Sequence, residues 1–241
     1  MKINEIFLSI QGESISTLPS PTKLGVGVPT IFMRTNNCSL QCDYCDTRYT
    51  WDGSQKEKGK TMNPEEIIQE IQKVGGPYKV VCITGGEPEL QPIGEMHQLI
   101  SGLKELGYTI SVEASGTADR DFFHLADSVV MDIKGPSAGI KAMERTKNCM
   151  TYVNTLKCND QLKFLIKGRE DFDWMMQWLE KSGIIDADLS IRPQILVSPE
   201  FDDDGNNNAA DVVKWILDAK LDAVFNFQVH KVIWKVDERA V

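Results

Sequence analysis

The segment Cys38-Ser39-Leu40-Gln41-Cys42-Asp43-Tyr44-Cys45 constrains this chain more than any other. Three cysteines fall within eight residues, at spacing C-x3-C-x2-C, directly after the apolar run Ile31-Phe32-Met33. Thiolates are soft ligands, and three that converge suit zinc or an iron–sulfur cluster. A structural zinc site takes four protein ligands, and no fourth Cys or His lies close in sequence. Cys82, Cys149 and Cys158 are distant and irregularly spaced. A four-iron cluster held by three thiolates leaves one iron without a protein ligand, and an open iron can bind a substrate or cofactor. A zinc or disulfide cluster is the plainer alternative.

The bulk properties narrow the setting. A chain of 241 residues suits one barrel-like α/β domain, expected to span 1–241, with a core that needs no disulfide staples. The net charge of −9 argues against nonspecific nucleic-acid binding, so a small anionic substrate would need a local basic pocket. No window of about 18 apolar residues is present, so no membrane span is expected. The apolar run in Met1-Lys2-Ile3-Asn4-Glu5 is too short for a signal peptide. Six cysteines, three of them clustered, fit a reducing compartment, and a cytoplasmic location is expected.

Periodicity predicts alternating strands and helices. Strands are expected at Asn4–Ile10, Val28–Arg34, Lys79–Thr84, Tyr108–Glu113, Ser128–Ile133, Gln161–Ile166, Asp188–Arg192 and Ala223–Val229. Asn63-Pro64-Glu65-Glu66 reads as a helix start, with Ile67, Ile68, Ile71 and Val74 on one face and Gly75-Gly76 as its stop. A second helix should run from Gln91 to Leu106, with Ile93, Met96, Ile100, Leu103 and Leu106 inward. Short helices are expected at Arg120–Ala126 and Ile140–Thr146. Longer ones are expected at Glu170–Lys181, burying Phe172, Met175, Met176 and Leu179, and at Asn208–Ala219, with Val212, Val213, Ile216 and Leu217. Such alternation argues a parallel sheet with crossover helices, whose active site lies at the carboxyl ends of the strands. The motif-bearing positions after Arg34, Thr84, Glu113, Ile133, Arg192 and Val229 all follow expected strands.

The cysteine motif, with Tyr44 just before its last Cys, resembles the signature of the radical S-adenosylmethionine (SAM) enzymes. Gly85-Gly86-Glu87-Pro88 at the end of a buried strand resembles their second motif, which contacts the amino group of SAM. Further features narrow the resemblance to the 7-carboxy-7-deazaguanine synthases. These are Gln11-Gly12-Glu13, Arg34 four residues before Cys38, Cys45-Asp46-Thr47, Tyr49-Thr50-Trp51-Asp52-Gly53, Glu113 with Gly116-Thr117, and Gln228-Val229-His230. The resemblance covers essentially the whole chain and leaves no room for an auxiliary-cluster domain. It implies a partial (β/α) barrel of the radical SAM type, with parallel strands and crossover helices.

The resemblance also implies roles. Cys38, Cys42 and Cys45 would hold a 4Fe-4S cluster. Tyr44, Gly85, Gly86, Glu87, Glu113, Ser115, Lys134 and Gln194 would contact SAM, Gln194 from the end of the Asp188–Arg192 strand with either cofactor or substrate in reach. Gln11, Gly12, Glu13, Arg34, Gln228 and His230 would bind a pterin substrate, with Arg34 on its carboxylate as a bidentate partner. Thr47 would supply a hydroxyl to Mg²⁺, an ion that takes few protein ligands. The implied reaction begins with hydrogen abstraction from C6 of 6-carboxy-5,6,7,8-tetrahydropterin by a 5′-deoxyadenosyl radical. Ring contraction and loss of ammonia then give 7-carboxy-7-deazaguanine, on the route to queuosine. A homodimer is implied, as is a flavodoxin or ferredoxin as electron donor.

The chain departs from the family pattern at Ser14, where Gly is common, at Glu113-Ala114-Ser115, and at Asp132-Ile133-Lys134, where Ser-Pro-Lys is common. The rival readings are an activase that places a glycyl radical on a partner enzyme, and a zinc-stabilised binding module without catalysis. His97 and His124 read as structural, and Trp174 and Trp178 as packing. Cys82 reads as buried and inert, Cys149 and Cys158 as free thiols.

Overall fold

The computed structural model describes all residues except 19–22, 55–58, 119–120, 146–151, 189, 203 and 235–241. Cys149 and the outer ends Arg120 and Thr146 of two expected helices therefore lie outside the described residues. Nine strands form one sheet: β1 (Lys2–Ile10), β2 (Pro29–Thr35), β3 (Lys60–Thr61), β4 (Val80–Thr84), β5 (Thr109–Ala114), β6 (Ser128–Ile133), β7 (Gln161–Ile166), β8 (Gln194–Pro199) and β9 (Val224–Phe225). Their order is β3-β1-β2-β4-β5-β6-β7-β8-β9. From β2 to β9 every neighbouring pair is parallel, with registers such as Ile31↔Val81 and Val112↔Val129. β1 runs antiparallel to both β2 and β3.

Among the described residues six α-helices accompany the sheet: α1 (Pro64–Gly75), α2 (Ile93–Glu105), α3 (Ile140–Arg145), α4 (Arg169–Ser182), α5 (Ala209–Asp218) and α6 (His230–Ile233). α1 starts where its sequence says. Asn63 Oδ1 accepts from Glu66 N at 2.9 Å, and the Glu66 carboxylate accepts from Asn63 N at 2.9 Å, a reciprocal capping box. α1 lies flat on β2 because Gly75 has no side chain; a methyl there would overlap Ile31 Cδ1.

The two faces of the sheet have opposite chemistry, and strand periodicity is the reason. Ile31 and Met33, Val81 and Ile83, Ile110 and Val112, Val129 and Met131, Leu162 and Phe164, and Ile195 and Val197 all face the helices in one continuous core. α4 adds Phe172, Met175 and Leu179 to it, and Trp178 packs edge-on to Phe164 at 5.5 Å between ring centres. The alternate residues, among them Arg34, Thr84, Glu113, Asp132 and Lys163, face the other way and line a cavity. After β1 the chain runs across that inner face, and Val229 N donates to Gly12 O at 3.0 Å. The two ends of the sheet are thereby brought together in a partial barrel.

Five expectations fail. Asp188–Arg192 is a turn: Asp188 Oδ1 accepts from both N and Oγ of Ser190 at 2.8 Å, and Ile191 is exposed. The strand follows instead at Gln194–Pro199. Gln194 therefore opens β8 at its amino end, paired with Gln161 at the start of β7, and does not line the cavity. The side-chain alternation of Leu-Ser-Ile-Arg imitates a strand, but the carboxylate of Asp188 captures the backbone first. On α2, Ile93 and Leu106 are exposed at its two ends. On α5, Val212 and Ile216 are buried while Val213 and Leu217 face outward, because the helix seats only one narrow stripe against β8 and the neighbouring α4. β9 is only Val224–Phe225, so Gln228 lies in a loop and His230 opens α6. No helix among the described residues is long and apolar enough to cross a membrane.

Candidate active site

The cavity encloses about 710 Å³. Cys38, Cys42 and Cys45 lie at one side of it, on the loop after β2. That loop is held at both ends. Leu40 and Cys42 pack with Ala138 and Ala142 in a small apolar cluster, and the loop turns through Asn37 and Gln41 at positive φ, +75° and +57°. Gln41 is an unusual residue for that conformation, and its Oε1 accepts from Lys141. Asp43 N donates to Ala138 O at 3.1 Å.

All three thiols are free. Cys38 Sγ receives Leu40 N at 3.4 Å, and Cys45 Sγ receives Trp51 Nε1 at 3.5 Å with Thr47 Oγ1 at 3.6 Å. Burial pushes the Cys38 thiol up, and pushes Cys42 up to about 12 despite the attraction of Lys134. Thiols so placed stay protonated unless a metal takes the proton's place. A single tetrahedral zinc would bring its thiolates to about 3.8 Å from one another. Among the described residues, the one group of metal-type ligand atoms within 4.8 Å of each other is Glu13, Asp46 and His230. The wider spread of the three thiols suits a multi-iron cluster.

Gly85 and Gly86 end β4 at φ +66° and +52°, a region open to glycine at little cost. A methyl on Gly86 would stand 2.5 Å from Asn37 O, so this turn locks directly onto the cysteine loop. Glu87 N donates to Asn37 O at 2.8 Å. The Glu87 carboxylate accepts from Ser115 Oγ and from Glu89 N at 3.3 Å. Its pKa is raised to about 8, first by burial and then by the neighbouring charge of Glu89. A cationic group in the cavity would ionise it. Glu113 accepts from Thr84 Oγ1 at 2.9 Å and from Gln11 Nε2 at 3.2 Å. Lys134 Nζ stands 2.9 Å from Asp132 Oδ2 and 5.7 Å from the centre of the Tyr44 ring.

The same cavity is also lined by Gln11, Gly12, Glu13, Arg34, Thr47, Gln228 and His230. Arg34 Nε donates to Glu5 Oε1 at 2.9 Å, and Tyr49 Oη donates to the same oxygen at 2.8 Å. This fixes the arginine, which lines the cavity. Gln11 Oε1 accepts from Gly12 N at 2.8 Å and Glu13 N at 3.2 Å, so Gln11 shapes the turn that presents Glu13. Gly12 lies under His230, whose Cβ would be 2.9 Å from a methyl there. Glu13 Oε1 accepts from Gln228 Nε2 at 3.0 Å and lies 3.6 Å from His230 Nε2, while Oε2 pairs with Lys163. Burial alone would raise the Glu13 pKa, but Lys163, His230 and Lys231 hold it well below the usual carboxylate range. Asp46 pairs with Lys231 at 3.4 Å, beside Thr47. Cations therefore already occupy the carboxylates of the Glu13–Asp46–His230 group.

Lys163 and Lys231 were not singled out in the sequence, and Asp46 and Asp132 stood there only inside motifs, with no role of their own. Lys163 had a signal: it is a lone cation inside the apolar run Leu162-Lys163-Phe164-Leu165. Tyr44 Oη, Asp132 Oδ1 and Gln228 Oε1 are buried without a hydrogen-bond partner, and all three residues line this cavity. Three soft ligands and polar atoms awaiting partners in one cavity fit a cluster with its bound cofactor and a polar substrate.

Residues 32–183 match the family described as the Radical SAM superfamily, and the chain belongs to it. Within it, the chain belongs to the family of the 7-carboxy-7-deazaguanine synthases. It is 32% identical to the 7-carboxy-7-deazaguanine synthase of Koribacter versatilis over 100% of both chains. It is 33% identical to that of Methanospirillum hungatei over 97% of this chain and 85% of the relative. The crystal structure of QueE from Escherichia coli shares the fold, with TM-score 0.62 over 94% of this chain and 93% of that one at 21% identity.

Proposed function

We propose that the chain converts 6-carboxy-5,6,7,8-tetrahydropterin into 7-carboxy-7-deazaguanine and ammonia. The observation that carries this reading is the lining of a single cavity. The three thiols and Glu87 share that cavity with the Glu13–Gln228–His230 group and Arg34, in a chain matched end to end by a relative of that name. Cys38, Cys42 and Cys45 would hold a 4Fe-4S cluster, which with bound SAM supplies a 5′-deoxyadenosyl radical. The rest of the task is positioning and electrostatics.

On the cofactor side, ionised Glu87 takes an ammonium group, Ser115 orients that carboxylate, and Lys134 faces an anionic group. Gly85 and Gly86 let the β4 turn approach closely, while Glu113 ties this side to the Gln11 turn. On the substrate side, the free nitrogens of Arg34 meet a carboxylate, and Glu13 accepts ring N–H donors. Gln228 and His230 contact the same ring, and Thr47 would offer its hydroxyl to Mg²⁺, which would supply positive charge to an anionic substrate. The enzyme acts as a single radical SAM domain, as a homodimer in the cytoplasm, with a flavodoxin or ferredoxin as reductant.

The test is anaerobic. The reconstituted protein receives dithionite, SAM, Mg²⁺ and 6-carboxytetrahydropterin, and mass spectrometry looks for 7-carboxy-7-deazaguanine. Product is expected. 5′-Deoxyadenosine without product would move the substrate elsewhere and sink the reading.

A further inference from the structure

Lys163 sits in the middle of β7 on the inner face, only 8% exposed. Burying an ammonium there is costly unless it is paired. Its Nζ bonds Glu13 Oε2 and stands 3.5 Å from Asp132 Oδ2. Asp132 Oδ2 is in turn 2.9 Å from Lys134 Nζ. Glu13, Lys163, Asp132 and Lys134 thus alternate in sign across the floor of the cavity.

The geometry at Glu13 is specific. Oε2 is committed to Lys163 and Oε1 to Gln228, with His230 beside it. Each carboxylate oxygen keeps a second lone pair, and the residue lines the cavity. A carboxylate held at both oxygens keeps one orientation, with a further acceptor lone pair on each oxygen. Two such acceptors match two parallel N–H donors, as on the amino-pyrimidinone edge of a pterin. A glutamine in its place would offer one acceptor and one donor, and would mismatch that edge.

We infer that Lys163 is a positioning residue for substrate recognition: anchored on Asp132, it fixes the Glu13 carboxylate as the double acceptor for the substrate's paired N–H groups. The inference rests on the reading of the cavity as a pterin site. It adds the residue that makes Glu13 selective.

The test is a double-mutant cycle on the reconstituted enzyme, with Lys163→Met, Glu13→Gln and both together, measuring kcat and the KM values of 6-carboxytetrahydropterin and SAM. Removing the partner of a buried charge-assisted hydrogen bond should raise the pterin KM in Lys163→Met about tenfold or more, with kcat within about threefold and the SAM KM within about twofold. Lys163→Arg, which keeps the charge, should recover most of that loss. In the Glu13→Gln background, Lys163→Met should change the pterin KM by less than about threefold, because the carboxylate it serves is gone. A purely structural lysine would lower kcat and both KM-derived efficiencies together, and that outcome overturns the inference. So does a pterin KM unmoved in Lys163→Met, or effects of the two substitutions that multiply independently. If Lys163→Met alone does not fold, as judged by cluster absorbance, Glu13→Gln against the charge-neutral double variant decides. Equal KM values support the inference, and a further tenfold rise overturns it. Wild-type enzyme that forms no product overturns the pterin reading and this inference with it. Active wild type with an indifferent Lys163→Met overturns this inference alone.

Discussion

Gly85→Ala tests whether the turn after β4 is built around Arg34. Gly85 has φ +66°, and a methyl there would stand 2.7 Å from Arg34 Cδ and 2.9 Å from its Cβ, nearer still to Cγ. The left-handed backbone costs a non-glycine residue about 1–2 kcal/mol. Forcing Arg34 off its rotamer costs about 1–3 kcal/mol more. The arginine cannot move freely, because its Nε is tied to Glu5 Oε1 at 2.9 Å. The expected loss is therefore about 2–5 kcal/mol, a fall in Tm of roughly 5–15 °C for a domain of this size. Gly107→Ala is the control: its φ is +78°, but nothing lies within 4 Å of a methyl there, so only the backbone cost applies. Denaturation of the cluster-free protein under reducing conditions measures both. Arg34→Ala, which removes Cγ and Cδ, should lessen the cost of Gly85→Ala in the double variant. Equal losses for Gly85→Ala and Gly107→Ala, or no coupling to Arg34, would refute the packing explanation.

Cys42→Ala should abolish cluster absorbance and product formation, and SAM cleavage retained in this variant would sink the cluster assignment. Glu87 has its pKa raised to about 8, so the folded protein holds a proton that the unfolded chain releases above about 4.5. Stability therefore falls as pH rises from about 4.5 to 8 and levels off above. Glu87→Gln should flatten that slope in denaturant melts at several pH values, and an unchanged slope would contradict it. The same ionisation should make SAM bind more tightly as pH rises through about 8, which equilibrium binding can follow. Asn63→Ala removes the cap accepting from Glu66 N at 2.9 Å and should cost about 1 kcal/mol in chemical denaturation.

Local chemistry was legible in the sequence. The cysteine spacing, the capped start of α1, the buried strand Val80–Thr84 and the glycine pair behind Glu87 are each specified by neighbours a few residues apart. The parallel α/β class follows from such alternation. Legibility failed where two local signals competed. At Asp188 a side chain took the backbone into a turn, β8 began later, and Gln194 came to the far end of the sheet from the cysteines. The exposed ends of α2 and the outward Val213 and Leu217 could not be foreseen, because how much of a helix face is covered depends on the strands beneath it.

What the sequence by itself determined is which residue types are available and which of them lie on one side of each strand. Alternation with a period of two puts Arg34, Thr84, Glu113, Asp132 and Lys163 opposite the apolar set. Only the tertiary structure decided that these separate polar faces share one cavity. Glu13 and Lys163 are 150 residues apart, and Glu13 and Gln228 are 215 apart. Their meeting depends on the segment after β1 crossing the curled sheet and bonding Val229 N at 3.0 Å. A charge is tolerated inside a strand only where its counter-charge arrives from elsewhere in the chain, so Lys163 becomes intelligible once the sheet has closed over Glu13.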